Sequence, residues 1–391
     1  GSEMCIRDSA LPDRPSIAVL RFQNMSSDPE QDYFADGMVE DINSALSRTR
    51  WLFVIARNSS FTYKGRAIDV KQVGRELGVR YVLEGSVRKV GERVRISAQL
   101  IDASTGAHLW AERVAGAIRP ELERAETERA RREPTANLDA YDLYLRALPG
   151  VEGASREAND AALALLHRAI ALDPNFASAY GLAARCYTLR WRNKWMADVE
   201  RERAETARMA RRATELGRDD PVALSYGGNA MGSVLGEFED SFGFCERAIA
   251  LDPHLATAWQ FSGLAKAYLG DPEAAIERLT RSLRLSPRDP SLNTMYAAIG
   301  FSHFVAGRYD EAASWSERAI RQGPNFLPAL RNAATSYALA GRMDEARRAL
   351  ARLLEVDPGC RLATLREQVQ LQRPEDFARY AEGLRRAGLP E

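Results

Sequence analysis

The chain has 391 residues, of which 45% are hydrophobic and 28% charged, and its 54 basic side chains balance 54 acidic ones. This length suggests two or three domains with cores of ordinary size. The zero net charge excludes a global attraction to nucleic acid or to an anionic membrane, and no apolar run approaches the roughly 18 residues of a membrane-spanning helix. We therefore expect a cytoplasmic protein without a membrane span.

The four cysteines are far apart in the sequence. Their spacing matches neither a disulfide framework nor a set of metal ligands. Three of them fall in helical segments where small apolar residues are usual. We predict that Cys186, Cys245 and Cys360 are reduced thiols in or near a core.

Residues 1–9 read GSEMCIRDS. This string resembles the translation of a transposase adapter used in sequencing libraries, so we expect these residues to be an assembly artefact. The native protein would then continue upstream of Ala10. The alternative is a genuine short leader, although the segment lacks the apolar stretch of a signal peptide.

Residues 10–115 alternate strand and helix patterns. Apolar runs at 16–22, 52–56 and 81–89 predict strands, and strict alternation of apolar and polar residues predicts further strands at 93–102 and 107–114. Helices are predicted from Asp28 and from Asp69, each acting as an N-cap, and Gly78 ends the second helix. The order β-α-β-α-β-β-β predicts a mixed sheet with helices packed on it.

This segment resembles the TolB-like amino-terminal domain of bacterial signalling proteins. The resemblance is carried by the runs SIAVLRFQNMSSDPEQDYFADGMVEDI, LFVIARNSSFTYKG, VGRELGVRYVLEGSVRK and VRISAQLIDASTGAHLW. It implies tetratricopeptide repeats downstream. It also implies an upstream class III adenylate/guanylate cyclase domain or, alternatively, a winged-helix DNA-binding domain. The acidic, apolar helix that relatives carry after the position of 110–113 is missing here.

Residues 116–137 join this domain to the next. The run 121–132 is dense in charge and poor in apolar surface, which predicts a solvated connector helix. Its arginines could contact nucleic acid, but the interleaved glutamates argue against that role.

Residues 138–358 carry a repeated helical pattern. Pro253 and Pro287 end two successive units 34 residues apart, and Pro324 and Pro358 show the same interval. The clearest unit has a Gly270-Asp271-Pro272 break, which suits a left-handed helix end followed by an N-cap and an N1 proline. Between Pro287 and Pro324 we predict extra loop residues near Pro290.

A 34-residue helix-turn-helix unit of this kind resembles the tetratricopeptide repeat. We predict about six units, followed by a helical cap at 359–391. The first helix of the first unit is predicted to be broken at 149–150. The carboxy-terminal run RPEDFARYAEGLRRAGLPE also resembles the ending of cyclase-linked relatives.

The repeat resemblance implies a groove that binds an extended peptide or a partner helix. Outward-facing groove positions would have a polar and basic character that could bind a carboxylate-bearing segment. They are Arg185, Gln260, Leu264, Arg331 and Thr335. The alternative for each of them is plain exposure to solvent.

Motifs for catalysis or cofactor binding are missing from the sequence: it has no Walker loop, no GxGxxG, no HExxH, no CxxC and no GxSxG. The four histidines are scattered and are predicted to be surface or packing residues. Two weaker candidates remain. One is a metal site in an acidic group, and the other is a small-molecule site at strand ends. The acidic group is Asp28, Glu30, Asp32, Asp36, Glu40 and Asp41, and the strand-end residues are 58–60 with 85–86.

For the acidic group, helix-dipole stabilisation and a solvated face explain the pattern better than a metal. We therefore predict no catalytic, cofactor or metal site in this chain. The predicted architecture is multidomain, a small mixed-sheet α/β domain followed by an all-α tetratricopeptide solenoid. The predicted function is the protein-interaction and sensory region of a cyclase-type cyclic-nucleotide signalling protein. The alternatives are the carboxy-terminal half of a winged-helix transcription regulator and a stand-alone scaffold.

Overall fold

The computed structural model describes residues 15–26, 32–47, 52–63, 69–90, 93–114, 137–152 and 155–391. Within them, a small mixed sheet with helices is followed by a helical solenoid, as the sequence predicts. Three predictions lie outside the described residues. They are the adapter-like residues 1–9, the helix start at Asp28 and the connector helix at 121–132.

The described strands form one six-stranded sheet with the order β3-β1-β4-β5-β6, and β2 also pairs with β4. The pairs β1–β3, β1–β4 and β2–β4 are parallel, while β4–β5 and β5–β6 are antiparallel. The strands are β1 Ser16–Val19, β2 Gln23–Asn24, β3 Phe53–Val54, β4 Tyr81–Val90, β5 Arg93–Asp102 and β6 His108–Val114.

The run 16–22 is not one strand, as predicted, but is interrupted after Val19. The chain resumes pairing at β2, and Phe22 between the two strands is fully buried. The ring of Phe22 lies against Gly85, where a Cβ atom would come within 2.8 Å of it. The prediction that 85–86 lies at a strand end is therefore wrong: these residues are in the middle of β4, where a missing side chain makes room for the ring.

Helices cover both faces of the sheet. They are α1 Asp32–Ser47, α2 Arg57–Phe61 and α3 Val70–Leu77. Along β1 the side chains alternate, as a strand requires: Val19 is buried with residues of α1, and Ala18 is buried with residues of α3. Asp69 caps α3 by accepting a hydrogen bond from the Lys71 amide, and Gly78 ends it at a φ of 65°, both as predicted.

The solenoid consists of six described helical hairpins and a terminal cap. The hairpins are α4 Leu138–Glu152 with α5 Arg156–Leu172, α6 Ala177–Arg192 with α7 Val199–Leu216, α8 Pro221–Ala230 with α9 Phe238–Leu251, α10 Ala256–Tyr268 with α11 Pro272–Leu285, α12 Leu292–Val305 with α13 Tyr309–Gln322, and α14 Leu327–Leu339 with α15 Met343–Val356. The cap is α16 Leu365–Gln368 and α17 Pro374–Ala387. None of the described helices has the combined length and apolarity that crossing a bilayer requires.

The hairpin turns follow the predicted chemistry. Gly270 adopts a φ of 83° after α10, and the Asp271 side chain accepts a hydrogen bond from the Ala274 amide at the start of α11. Ala275 and Leu279 are fully buried on the facing side of α11. A left-handed glycine followed by an N-cap therefore reverses the chain and lets small residues bring the helices together.

The predicted break at 149–150 is wrong, because α4 continues through Pro149 to Glu152. Pro149 lies in the last turn, where a missing amide removes only one hydrogen bond and the helix ends soon afterwards. Gly150 faces α5, and a Cβ atom there would lie 2.6 Å from the Ala158 carbonyl oxygen. A second irregularity, a π-helical turn at Met231–Leu235, extends α8.

The solenoid is curved, so that its second hairpin contacts the fifth hairpin and the residue that follows the sixth. Arg192 donates a hydrogen bond from Nη1 to Thr294 Oγ1 of the fifth hairpin, at 3.2 Å. Lys194 Nζ lies 2.5 Å from Asp357 Oδ2, just beyond the sixth. The first helices of successive hairpins therefore surround an inner space.

The carboxy-terminal segment packs along the last three hairpins. Thr335 of α14 donates a hydrogen bond from Oγ1 to the Tyr380 carbonyl oxygen at 2.9 Å. The Gln372 amide bonds to the Tyr268 carbonyl oxygen at 3.2 Å, and Arg379 donates to the Val305 carbonyl oxygen at 2.8 Å. The segment thus contacts the fourth, fifth and sixth hairpins.

Candidate functional site

The α/β domain docks on the loop 286–291 between the fourth and fifth hairpins. The Ala56 amide donates to the Leu285 carbonyl oxygen at 2.8 Å, and the hydroxyl groups of Ser59 and Ser286 are 3.0 Å apart. This loop is where the sequence predicts extra residues near Pro290. Residues 58–60, which the sequence predicted to lie at a strand end and hold a ligand, lie instead in α2 and contact another part of the chain.

Two consecutive charged residues anchor this junction. Arg288 donates from Nη1 to Tyr63 Oη at 3.2 Å, pairs with Glu76, and has its guanidinium 5.1 Å from the Tyr63 ring centre. Burial, together with the hydrogen bond to Glu76, raises the pKa of Tyr63 to about 12. Asp289 is 4% exposed and accepts hydrogen bonds from Asn58 of the α/β domain at 3.3 Å and from its own loop.

A second contact involves the loop between the third and fourth hairpins. His254 donates from Nδ1 to the Ser47 carbonyl oxygen at 3.0 Å, and its ring lies edge-on to Phe53 with centroids 6.3 Å apart. Burial lowers the pKa of His254. Contact also continues at the first hairpin, where a Cβ atom on Gly37 would lie 2.9 Å from a Leu145 methyl group.

Three members of the predicted acidic group lie on α1 and pair with arginines, whereas Asp28 and Glu30 lie outside the described residues. Asp32 and Asp36 both pair with Arg21, and Glu40 lies 3.0 Å from the Arg57 guanidinium. No group of histidine, cysteine, aspartate or glutamate suited to a metal ion occurs among the residues that the structure describes.

An inner cavity of about 150 Å³ lies among the first helices of the hairpins. Arg185 and Arg192 of α6 and Gln260 of α10 line it, together with Asp289 and with Asn58 of the α/β domain. Arg185 is 8% exposed and has its guanidinium 5.5 Å from the centre of the Phe261 ring. The cavity thus has a basic wall and lies at the domain junction.

The predicted outward groove positions are not outward. Arg185 and Gln260 are buried around the cavity, and Leu264 packs in an apolar cluster between hairpins. Arg331 donates to Gln368 Oε1 at 2.6 Å, and Thr335 is fully buried beneath the carboxy-terminal helix. The prediction of exposure is wrong because the curled solenoid and its own carboxy-terminal segment cover these faces.

Sequence reasoning predicted Asn58 only as part of a small-molecule site at a strand end, and it missed two other polar residues that line the cavity, Arg192 and Asp289. Arg192 follows Arg185 by two helical turns, and this spacing was a signal that both lie on one face of α6. Asn58 and Asp289 carry no such signal, since they are far apart in the chain and meet only through docking of the domains.

The three described cysteines are buried and free of disulfides, as predicted. Burial raises the pKa of Cys186 to about 12, and it also raises the pKa values of Cys245 and Cys360. A thiol must ionise to act as a nucleophile, so these cysteines serve packing.

The tetratricopeptide repeat family matches the chain at residues 262–325 and 304–382. Residues 262–382 are tetratricopeptide repeats. They include the fourth hairpin from α10 onward, the fifth and sixth hairpins and most of the carboxy-terminal cap. Tetratricopeptide repeats form protein-interaction scaffolds, and this coarse function applies to the solenoid.

Similar proteins include "Putative adenylate cyclase 3" of Rhizobium meliloti (strain 1021), which is 41% identical over an alignment of 229 residues; the match covers 54% of this chain and 39% of that relative. "TPR repeat-containing protein YpiA" of Bacillus subtilis (strain 168) is 28% identical over 127 residues, 32% of this chain and 29% of the relative. The chain therefore spans less than half the length of either relative. The solved structure of the APC/C hetero-tetramer Cut9–Hcn1 aligns with a TM-score of 0.47 at 15% identity, covering 68% of this chain and 46% of that one.

Proposed function

We propose that this chain is the regulatory, partner-binding region of a longer cyclic-nucleotide signalling protein of the adenylate/guanylate cyclase type. The observation that carries the proposal is the 41% identity over 229 residues to a relative named as an adenylate cyclase, of which this chain spans 39%. The catalytic domain would lie upstream of the α/β domain. The solenoid would bind a protein partner in the cytoplasm.

The domain junction supports a regulatory role. Arg288, Asp289 and His254 all lie in loops of the solenoid and contact the α/β domain. A partner that binds the solenoid more tightly in one docking arrangement would shift the position of the α/β domain and of anything joined to it. Such a partner must bind the two docking arrangements with different affinities, since equal affinities leave their populations unchanged.

The first test is the coding sequence upstream of Ala10 in an intact genome. A class III cyclase domain with its metal-binding aspartates is the expected finding. A winged helix there would favour a transcription regulator, and an upstream stop codon would favour a stand-alone scaffold.

The second test uses the full-length protein. Arg288→Ala removes the guanidinium contacts to Tyr63 and Glu76, and we expect it to change cyclic AMP formation several-fold. Arg347→Ala is the matched control, since that side chain is 66% exposed and pairs only locally with Asp344 among the described residues. Equal activity in the wild type and both variants would contradict transmission through the junction.

A further inference from the structure

Two arginines on the wall of the inner cavity form no salt bridge with a carboxylate among the described residues. We propose that this cavity binds a small oxyanion, a carboxylate or a phosphate, between the guanidinium groups of Arg185 and Arg192 and the amide of Gln260. This inference goes beyond the partner-binding function, because the ligand is a small anion rather than a protein.

The two guanidinium groups lie on one face of α6. Arg185 is 8% exposed and contacts the Phe261 ring face rather than an acid. Arg192 bonds to the neutral Thr294 hydroxyl at 3.2 Å and lies 5.3 Å from the centre of the Phe326 ring, while its Nε atom is buried without a partner. Guanidinium groups have planar donor arrays that match the oxygen pairs of carboxylates and phosphates.

The charges in the cavity do not balance. Burial and the neighbouring positive charge of Arg185 together lower the pKa of Arg192 to about 9. Asp289 is the one carboxylate among the described lining residues, and its oxygens already accept hydrogen bonds from Asn58, Ser286 and Ser291. Two positive charges therefore face one engaged negative charge, and unpaired buried charge is costly. A bound oxyanion would supply the missing negative charge.

Gln260 provides an independent indication. Its side chain is 2% exposed, and its Nε2 atom is buried without an acceptor among the described residues. A buried donor without a partner loses its hydrogen bonds to water and gains none in return, so such groups are usually satisfied in the working state of a protein. An oxyanion between the arginines would also accept from this amide.

The volume restricts what can bind. A cavity of about 150 Å³ accommodates a molecule of a few non-hydrogen atoms, such as phosphate or a short carboxylate. Asn58 contributes to the wall from the α/β domain, and Asp289 contributes from the docking loop. Occupancy would therefore stabilise the docked arrangement of the two domains as well as the solenoid.

The test measures the melting temperature of the whole chain against increasing inorganic phosphate, propionate or neutral propionamide, with ionic strength held constant by chloride. We expect a saturable increase with phosphate, with propionate or with both, and none with propionamide. Phosphate alone would identify a phosphate site, and propionate alone would identify a carboxylate site. If neither anion raises the melting temperature above its value in chloride at the same ionic strength, the proposal is overturned.

Variants locate the effect. Arg185→Gln and Arg192→Gln should abolish the increase, and Gln260→Leu should weaken it, while Arg347→Gln should leave it unchanged. Without the anion, the two arginine variants should melt no lower than the wild type, since each removes a cation that forms no salt bridge in the cavity. An undiminished increase in both arginine variants, or a lower melting temperature in both without anion, would assign them a packing role and contradict the site.

Discussion

His254 shows how a single side chain couples the two domains. Its Nδ1 atom donates to the Ser47 carbonyl oxygen at 3.0 Å, which requires a proton on that nitrogen in the neutral ring. Burial lowers the pKa of His254, and Arg281 also disfavours the charged form. The folded state therefore binds this histidine's second proton more weakly than the unfolded state does.

We predict that acidification destabilises the fold through this residue. Because the folded pKa of His254 lies below the ordinary value of 6.5, its contribution is complete above that value and is lost as the pH falls towards the folded pKa. The free energy of unfolding in urea should therefore fall between pH 7.5 and pH 5.5. His254→Asn should reduce this slope.

In the His254→Asn variant, the free energy of unfolding should still depend partly on pH. His167 and His303 cause this remaining dependence, since burial lowers their pKa values too. His108→Asn is the control, because His108 is exposed on β6. An identical pH slope in His254→Asn and wild type would contradict the prediction.

For single residues, the sequence predicted the chemistry of a side chain better than it predicted which distant residues surround that side chain. Cys186, Asp69 and Gly270 behave as their local patterns predict, because burial on a helix face, capping and left-handed geometry are set by nearby residues. Arg185 and Thr335 do not, because distant segments of the chain bury them.

The carboxy-terminal helix α17 packs on α14 through a glycine. A Cβ atom on Gly383 would contact the Thr335 side chain and lie 2.8 Å from the Thr335 carbonyl oxygen, which belongs to the helix backbone and cannot move aside. The Tyr380 hydroxyl donates to Asn332 Oδ1 at 2.7 Å one turn earlier. These contacts determine how closely α17 packs against α14.

Gly383→Ala should therefore lower the free energy of unfolding by about 1–3 kcal/mol through overpacking. Gly243→Ala is a matched control within α9, where an added Cβ atom meets nothing within 4 Å. That variant should gain about 0.5–1 kcal/mol from helix propensity. Urea unfolding of both proteins measures the difference, and equal effects would refute a close packing of α17.

The existence of most helices could be predicted at the element scale, and their irregularities could not. Apolar periodicity and capping residues identify the hairpins, because those signals are local. The unbroken α4 at Pro149 and the interruption of 16–22 depend on neighbours. Phe22 finds space only because Gly85, distant in sequence, lies opposite it.

At the scale of the whole molecule, Lys194 joins the beginning of the solenoid to its end. It adopts a φ of 57°, a conformation that costs a residue with a side chain about 1–2 kcal/mol. Its ammonium group lies 2.5 Å from Asp357, whose side chain is 9% exposed. This ion pair joins the second hairpin to the residue that follows the sixth.

Lys194→Glu places two negative charges at this contact and should open the solenoid. We expect a larger radius of gyration in small-angle X-ray scattering and faster proteolysis of the loop at 193–198. Lys71→Glu makes the same charge change at an exposed position of α3 and should alter neither the radius of gyration nor the rate of proteolysis. An unchanged radius in Lys194→Glu would show that the curl does not depend on this ion pair.

The amino-acid sequence by itself determined the two-part architecture, the hairpin turns and the protein-interaction class of the solenoid. These follow from periodicity, glycine and proline placement and capping, which act over a few residues. Only the tertiary structure decided that the groove residues are covered, that the loop 286–291 carries the α/β domain, and that Arg185, Arg192 and Gln260 enclose one cavity. Each of these features depends on contacts between segments that are far apart in the chain. The curvature of a helical-repeat solenoid is the sum of small differences in packing between neighbouring repeats, so local sequence patterns do not specify it.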